Sequence, residues 1–389
     1  MNKKRAVILC FAATLCMAVI VGVVLYMTSK DKVWDLNENT PKEYRMNQNY
    51  FMTSGTLVKC EKGYYVNVAD EKLDFSRVYF WDGQSDTYSL ICTKANCKHN
   101  SMDCAACLPG GMLYSNGYFF YTYVDEDLNR YLYRCDENGT HRTEIMLLND
   151  YQNEGDYSSA VIVNGNHIFV QKQSLDENLD SYILDYNMER IGKDDYCTEV
   201  FRTEHQANLE ISVEGMNDTN MLYYWYNKED DRTYLYEYSS ETKQSRLITT
   251  VEGTNNKNTV LTLEYAENNI LYTCKSGCYM LPDGNEDNKI KITDNKRNAS
   301  YVSFDGRYIY VSHTNPTRDK DDVDFVEVYD MEGKFIRKID MPDSTGDRFK
   351  SWCNFGDESR LFATCFSGGP VYVLDKNDEN AVWRRIDKE

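Results

Sequence analysis

Short runs of apolar and aromatic residues, separated by polar turns, recur along most of the chain. One kind of run follows Gly or Asn, as in Gly63–Val66 and Gly117–Phe120, and a second kind, some 20 residues later, ends at Asp, Asn or Ser. Runs of this length bounded by turn-forming residues are typical of β-strands joined in hairpins. The pattern therefore predicts repeated antiparallel hairpins.

This strand-and-turn unit occurs seven times. The first strands are carried by residues 63–66, 117–120, 165–169, 220–223, 269–272, 306–310 and 360–362. The second strands end at Asp82, Asp136, Asn187, Ser239, Asp283, Asp330 and Asp375, at intervals of 44 to 54 residues. A period of this size containing only strands and turns is typical of four-stranded β-propeller blades. The predicted fold is all-β, a propeller of about seven blades over residues 50–389; the alternative is a β-sandwich of unrelated hairpins, which rarely repeats one motif at one spacing.

The first 27 residues differ from the rest of the chain. Three cations, ending at Arg5, precede an uncharged run from Ala6 to Met27. As a helix this run would span roughly 33 Å, enough for a bilayer core. We expect residues 1–5 to be a cytoplasmic tail, 6–27 a transmembrane helix, 28–49 a polar stalk and the remainder extracytoplasmic.

Two other interpretations of this segment are possible. A cleaved signal peptide usually has an apolar region of about 7 to 15 residues and a small-x-small cleavage site, and neither is clear here. Lipid attachment would need a small residue before the cysteine, whereas Leu9 and Leu15 precede Cys10 and Cys16. We therefore favour an uncleaved anchor, with the protein at the cell membrane.

Composition narrows the range of partners. Hydrophobic residues make up 42% of the chain and include 32 tyrosines, which suits a packed core of half-buried strands. The net charge of −19 repels phosphate backbones, so nucleic acid is not an expected partner. Because the acids are spread along the chain, they are better explained as a solvated surface than by cation binding or by affinity for basic partners.

The densest group of potential ligands is a cysteine-rich loop at residues 92–107. It contains Cys92, Cys97, His99, Cys104 and Cys107. Three cysteines with His99 could supply the four ligands of a structural zinc ion, although the spacing matches no standard zinc finger. Disulfide bonds or reduced thiols are the alternatives in an exported protein. In all of these cases we expect Cys92, Cys97, His99 and Cys104 to lie close together.

The other cysteines give less indication of whether they form disulfides. The chain has 13 cysteines, an odd number, so they cannot all pair within one molecule. Cys274 with Cys278, and Cys353 with Cys365, are expected on adjacent strands, where either a disulfide or two buried thiols would fit. The acidic run 319–324 is the most plausible local cation site, but a solvated loop explains it equally.

The repeats resemble those of a group of anchored or secreted bacterial proteins with predicted β-propeller domains, some described as related to low-density-lipoprotein-receptor propellers. The specific part of the resemblance is the segment Leu90–His99 followed by Cys104 and Ala105. The resemblance covers residues 50–389 and implies a fold and an extracytoplasmic location. It implies no activity.

Sequence motifs for catalysis are weak. The chain contains no G-x-S-x-G, no H-E-x-x-H and no phosphate-binding glycine loop. We expect a binding or scaffold role that uses loops on one propeller face, with a surface protein or cell-wall glycan as partner. The alternatives are an extracytoplasmic carbohydrate-active enzyme, which would need convergent carboxylates in the central channel, and a sensor, for which the tail of about five residues is too short to form a domain.

Overall fold

The computed structural model describes residues 57–69, 75–109, 112–115, 117–150, 156–174, 180–203, 211–217, 220–227, 229–252, 262–294, 299–313, 324–342, 352–356, 359–364, 371–376, 378 and 380–389. These residues form 29 β-strands and three short 3₁₀ helices. The predicted cytoplasmic tail, transmembrane helix (6–27) and stalk (28–49) lie outside them. No helix within the described ranges has the length and apolar character needed to cross a bilayer.

The strands fall into seven consecutive groups, which we call blades 1 to 7. The strands of blades 1 to 4 are β1 (Leu57–Cys60), β2 (Gly63–Ala69), β3 (Phe75–Trp81), β4 (Thr87–Leu90) and β5 (Cys107–Pro109); β6 (Leu113–Ser115), β7 (Tyr118–Val124), β8 (Arg130–Asp136) and β9 (Thr143–Asn149); β10 (Asp156–Asn164), β11 (His167–Ser174), β12 (Ser181–Asn187) and β13 (Cys197–Thr203); and β14 (Ile211–Asn217), β15 (Asn220–Asn227), β16 (Arg232–Ser239) and β17 (Gln244–Glu252).

The remaining three blades follow the same plan. Their strands are β18 (Thr262–Ala266), β19 (Asn269–Cys274), β20 (Gly277–Leu281) and β21 (Ile290–Asp294); β22 (Ala299–Phe304), β23 (Ile309–His313), β24 (Phe325–Tyr329) and β25 (Phe335–Asp340); and β26 (Trp352–Gly356), β27 (Arg360–Thr364), β28 (Val371–Asp375) and β29 (Arg384–Lys388). The 3₁₀ helices are Met188–Arg190, Pro282–Gly284 and Glu286–Asn288.

Within each blade, strands that follow one another along the chain pair antiparallel, except that β5 of blade 1 pairs with β3 and not with β4. Blades 2 to 6 are separate four-stranded sheets, and blades 1 and 7 are joined into one nine-stranded sheet. The seven predicted strand pairs are the second and third strands of the blades; for example, β7 pairs with β8 from Tyr118 opposite Asp136 to Val124 opposite Arg130. The prediction of a repeated hairpin with a four-stranded unit is confirmed.

The blades are arranged side by side in a ring. From blade 2 to blade 7, the first strand of each blade contacts the first strand of the next, which places these strands on the inside. Apolar side chains fill the spaces between neighbouring sheets, because both faces of an inner strand are covered. This explains why strands such as β7 are apolar or aromatic at nearly every inner position.

The ring closes between blades 7 and 1. The last strand, β29, pairs in parallel with β4, with Asp387 opposite Thr87 and Lys388 opposite Tyr88. A shared apolar core lies beneath this seam; it includes Tyr64 and Trp81 of blade 1 and Phe362 and Ile386 of blade 7. The described β-strands thus form a closed seven-bladed propeller in which no blade borrows a strand from another.

Candidate metal centre and exposed hairpin surface

The cysteine-rich loop leaves and rejoins the outer edge of blade 1. Both β4 and β5 pair with β3: Leu90 lies opposite Tyr79, and Cys107 lies opposite Arg77. The outer strand is therefore interrupted by residues 91–106. Both ends of this loop are fixed to β3. The loop is therefore compact, and several of its cysteine side chains pack against one another.

Tight turns shape the inside of the loop. The backbone N–H groups of Cys97, Cys104 and Cys107 donate to carbonyl oxygens three residues earlier, at 3.2, 3.1 and 3.0 Å. Asn96 and His99 adopt left-handed conformations, with φ of 66° and 51°, which reverse the chain beside the ligands. These turns direct four donor side chains toward a common point.

The four predicted ligands converge. One ligand atom from each of Cys92, Cys97, His99 and Cys104 lies within 4.8 Å of all the others. Nδ1 of His99 is 3.2 Å from Sγ of Cys104. In a tetrahedral zinc site with Zn–S bonds near 2.3 Å, neighbouring sulfur atoms are about 3.8 Å apart. The predicted convergence is confirmed, and the Cys3His cluster could hold a metal ion with only a small contraction.

Burial is the largest influence on the pKa values of these thiols. It raises the pKa of Cys104 and that of Cys107. At Cys92 burial is outweighed by hydrogen bonds from the backbone N–H of Lys94 and from the thiols of Cys104 and Cys97, and the pKa is lowered. A metal binds thiolates, so binding at this cluster would release protons.

Two arginines fix the loop from outside the ligand set. Arg77 Nε donates to the carbonyl oxygen of His99 at 2.8 Å. Arg142, in the turn before β9 of blade 2, donates to the carbonyl oxygens of Met102, Cys104 and Cys107 at 2.7 to 2.8 Å. Groups that orient ligands in this way usually tune metal affinity. No sequence pattern indicated a role for either arginine.

Five other cysteines in the described ranges form no disulfide: Cys60, Cys135, Cys197, Cys274 and Cys278. Cys274 and Cys278 lie on β19 and β20 and are both fully buried, and Sγ of Cys274 is 3.0 Å from Oγ of Ser276. Cys60 and Cys135 pack in the core between blades 1 and 2. Cys365 and residues 319–323 lie outside the described residues, so the Cys353–Cys365 pair and the acidic run remain predictions.

A second feature is an exposed hairpin in blade 2. We call residues 123–131, at the connection of β7 and β8, the hairpin tip. Nine large apolar side chains are exposed in the described part of the chain, and five lie on or beside this tip. These five are Tyr123, Val124, Leu128, Leu147 and Tyr157. Leu147 is on β9 opposite Tyr131, and Tyr157 is on the neighbouring β10.

Comparison with known proteins gives the fold but no family. No protein-family model matches the sequence, and no curated protein sequence matches it. Several solved structures are similar in shape. A prolyl endopeptidase structure superposes over 94% of this chain with a TM-score of 0.56 and 12% identity, and a puromycin hydrolase over 89% with a TM-score of 0.57 and 8% identity.

The chain spans 55% of the length of each of these two structures. An oligogalacturonate lyase in complex with manganese is similar over 87% of this chain and 85% of its own, with a TM-score of 0.50 and 10% identity. At such identities the likeness shows the fold alone. This likeness is consistent with the propeller that the strand order shows. The resemblance to low-density-lipoprotein-receptor propellers stays a prediction.

Proposed function

We propose that this protein is a binding module, held at the outer face of the cell membrane by residues 6–27, in which a structural zinc ion secures the edge of blade 1. The observation that carries the binding role is the clustering of exposed apolar side chains around the blade 2 hairpin tip. Grouped exposed apolar side chains often mark an interaction site, whereas singly scattered ones are ordinary on a soluble protein.

The zinc proposal rests on the donor set. Three thiols and one imidazole, brought within 4.8 Å, are the ligands that zinc prefers in structural sites. The cluster is filled by the chain's own side chains and supported by Arg77 and Arg142, which suits a closed structural centre. When bound, zinc would cross-link a loop that is hydrogen-bonded to β3 at its two ends, through Ile91 and Ala106.

Metal content tests the zinc proposal. Protein purified without chelator should contain one zinc per chain, and Cys97→Ser should lower this content. The thiols should become reactive only after chelation. Protein with no zinc and few titratable thiols would instead show that the cysteines are paired as disulfides.

Membrane attachment is tested by protease treatment of intact cells. Protease should release the portion after residue 28 while leaving a membrane-bound N-terminal fragment. A mature protein that begins near residue 28 would contradict the anchor.

The binding role is tested with the full-length protein in detergent micelles. The protein should be retained on discrete members of an array of cell-wall glycans and surface-protein peptides. A Tyr123→Ser/Val124→Ser variant should lose this retention, while Leu247→Ser, at an exposed site on another blade, should keep it. If no array member retains the protein, or if the protein cleaves a glycan on the array, the binding role is contradicted.

A further inference from the structure

Leu128 occupies an unfavourable backbone conformation on the hairpin tip. Its φ is 67°, in the left-handed region, and its side chain is 54% exposed. Glycine or asparagine adopts this conformation at little cost, whereas leucine does not. Because more than half of its surface is exposed, Leu128 gains little from the protein core.

Hydrogen bonds within the turn order the tip that presents Leu128. The Leu128 N–H donates to the Asp125 carbonyl at 3.1 Å, and the Asp125 N–H donates to the Asn129 carbonyl at 3.0 Å. Oδ1 of Asp125 also accepts from the N–H groups of Asp127 and Asn129, at 3.0 and 2.8 Å. A turn ordered in this way loses little conformational entropy on binding.

The side chains around Leu128 define the chemistry of a partner. Glu126 and Asp127 are exposed beside it, while Tyr123 and Val124 add apolar surface at the end of β7. The chain as a whole carries a net charge of −19. A projecting leucine next to two carboxylates is complementary to an apolar pocket bordered by Lys or Arg.

We propose that the hairpin tip is a protein-docking site, in which Leu128 inserts into an apolar pocket of a basic partner protein and Glu126 and Asp127 pair with the cations around that pocket. This rests on the proposed binding role and specifies its partner. Such a contact would explain why leucine is kept in the unfavourable left-handed conformation at this position. Residues in unfavourable conformations are concentrated at functional sites.

The test uses three fluorescent peptides of equal length, composed of Leu and Lys, Leu and Glu, or Ser and Lys, with the full-length protein in micelles. The Leu/Lys peptide should bind most tightly. Leu128→Asn should weaken its binding by about tenfold or more, the effect of losing one buried leucine. The same variant should raise the melting temperature, because asparagine tolerates the left-handed conformation, and this also shows that the variant folds.

Two further variants separate charge from apolar contact. Glu126→Gln/Asp127→Asn should weaken binding and reduce its dependence on salt concentration. Leu247→Asn, at an equally exposed leucine on β17, should change binding of the Leu/Lys peptide by less than about twofold.

Several results would overturn the proposal. These are unchanged affinity in Leu128→Asn, equal binding of the Ser/Lys peptide, dimerisation of the protein that depends on Leu128, or binding to phosphatidylcholine vesicles that depends on it. If the Leu128→Asn variant is still retained by array members that bind the parent protein, the docking site is wrong but the binding role stands.

Discussion

Several polar side chains in the core connect one blade to the next. Asp185 of blade 3 accepts hydrogen bonds from His167 at 2.7 Å and from Tyr238 of blade 4 at 2.9 Å. Glu327 of blade 6 accepts one from Thr293 of blade 5 at 3.0 Å. A buried carboxylate is stable only when its oxygens are satisfied, so such contacts specify how the sheets face one another.

Glu327 makes stability depend on pH. Burial alone would raise its pKa, but hydrogen bonds from His313 at 2.8 Å and Tyr329 at 2.6 Å outweigh it and hold the pKa at about 2. A carboxyl whose pKa is lowered on folding stabilises the fold above its unfolded pKa, which for glutamate is 4.5. This stabilisation is lost as the pH falls toward 2.

We expect Glu327→Gln to lower the free energy of unfolding by on the order of 2–3 kcal/mol at pH 7. The difference in unfolding free energy between the variant and the parent should narrow steadily as the pH falls from 4.5 toward 2, because Glu327 of the unfolded parent gains a proton while that of the folded parent stays ionised. Urea unfolding at a series of pH values measures both curves. A gap that is constant with pH would show that the loss is steric.

A buried ion pair links blades 6 and 7. The Lys376 ammonium pairs with the Asp305 carboxylate, and their side chains are only 5% and 2% exposed. Tyr310 donates to the same carboxylate at 2.6 Å. Removing one member of a buried pair leaves the other charge without its partner.

We therefore expect Lys376→Met to lower the free energy of unfolding by about 3–5 kcal/mol. The double variant Lys376→Met/Asp305→Asn should recover part of this loss, because it leaves no buried charge at the pair. Chemical denaturation of the parent, both single variants and the double variant gives the coupling energy. Additive losses would show that the two side chains do not interact.

Single turn-forming residues could be predicted from the sequence, whereas the long-range partners of buried charges could not. Asp82 and Asp330 were predicted as turn formers, and each accepts two backbone N–H groups through Oδ1. Such contacts lie within four residues and follow from local sequence. Glu327 with His313 and Asp305 with Lys376 are 14 and 71 residues apart, and only the assembled sheets bring them together.

At the level of elements, the turn after β8 supports the cysteine-rich loop of the adjacent blade. Gly139 has a φ of +74°, and a Cβ added there would lie 1.8 Å from the carbonyl oxygen of Ala105. The turn and the loop are therefore in direct backbone contact. Arg142 strengthens the same contact by three hydrogen bonds.

Gly139→Ala should weaken zinc binding and destabilise the fold. Gly117→Ala is the matched control: its φ is +81°, but an added Cβ would meet nothing within 4 Å. Left-handed strain alone costs roughly 1–2 kcal/mol, so both variants should lose that much. Only Gly139→Ala should also lower zinc affinity, measured by competition with a chelating dye. Equal zinc affinities would contradict the coupling of turn and loop.

The second and third strands of each blade were predicted, whereas the first and fourth were not. β7 and β8 have long apolar or aromatic runs between clear turns. The outer strand β9, for example, is half exposed and lacks the aromatic residues and the preceding Gly or Asn that mark the inner pairs. The convergence of the cysteine-rich loop could be predicted because its residues are close in sequence; the role of Arg142, 38 residues from Cys104, could not.

For the whole molecule, the seam between blades 7 and 1 completes the ring. Besides the β29–β4 pairing, Arg384 donates to Asp86 at 2.6 Å and Ser89 donates to Glu389 at 2.7 Å. These polar groups are exposed, whereas Ile386 is fully buried in the shared core. The strength of the seam should therefore come from burial more than from charge.

We expect Ile386→Ala to lower the free energy of unfolding by about 2–5 kcal/mol. Arg384→Ala should cost less than about 1 kcal/mol, because an exposed ion pair is well screened. Denaturant titration gives both values, and hydrogen exchange should locate the effect of Ile386→Ala in blades 1 and 7. A larger loss for Arg384→Ala would show that charge holds the seam.

The number of blades could be predicted from the repeat, but the form of closure could not. Seven copies of one motif imply seven similar sheets and favour a ring. The partners at the seam are about 300 residues apart, at the two ends of the repeat array. Nothing in the sequence of β29 marks a parallel pairing with β4.

The order of synthesis adds a consequence of this seam. Blade 1 emerges from the ribosome before blade 7, yet the partner of β4 is β29 of blade 7. Throughout translation the outer edge of blade 1 can therefore pair with a neighbouring nascent chain. A chain cut short before residue 384 keeps that edge open permanently. The outer edge of blade 1 is thus protected only after β29 has been synthesised, and products that end before β29 are left as targets for proteolysis and aggregation.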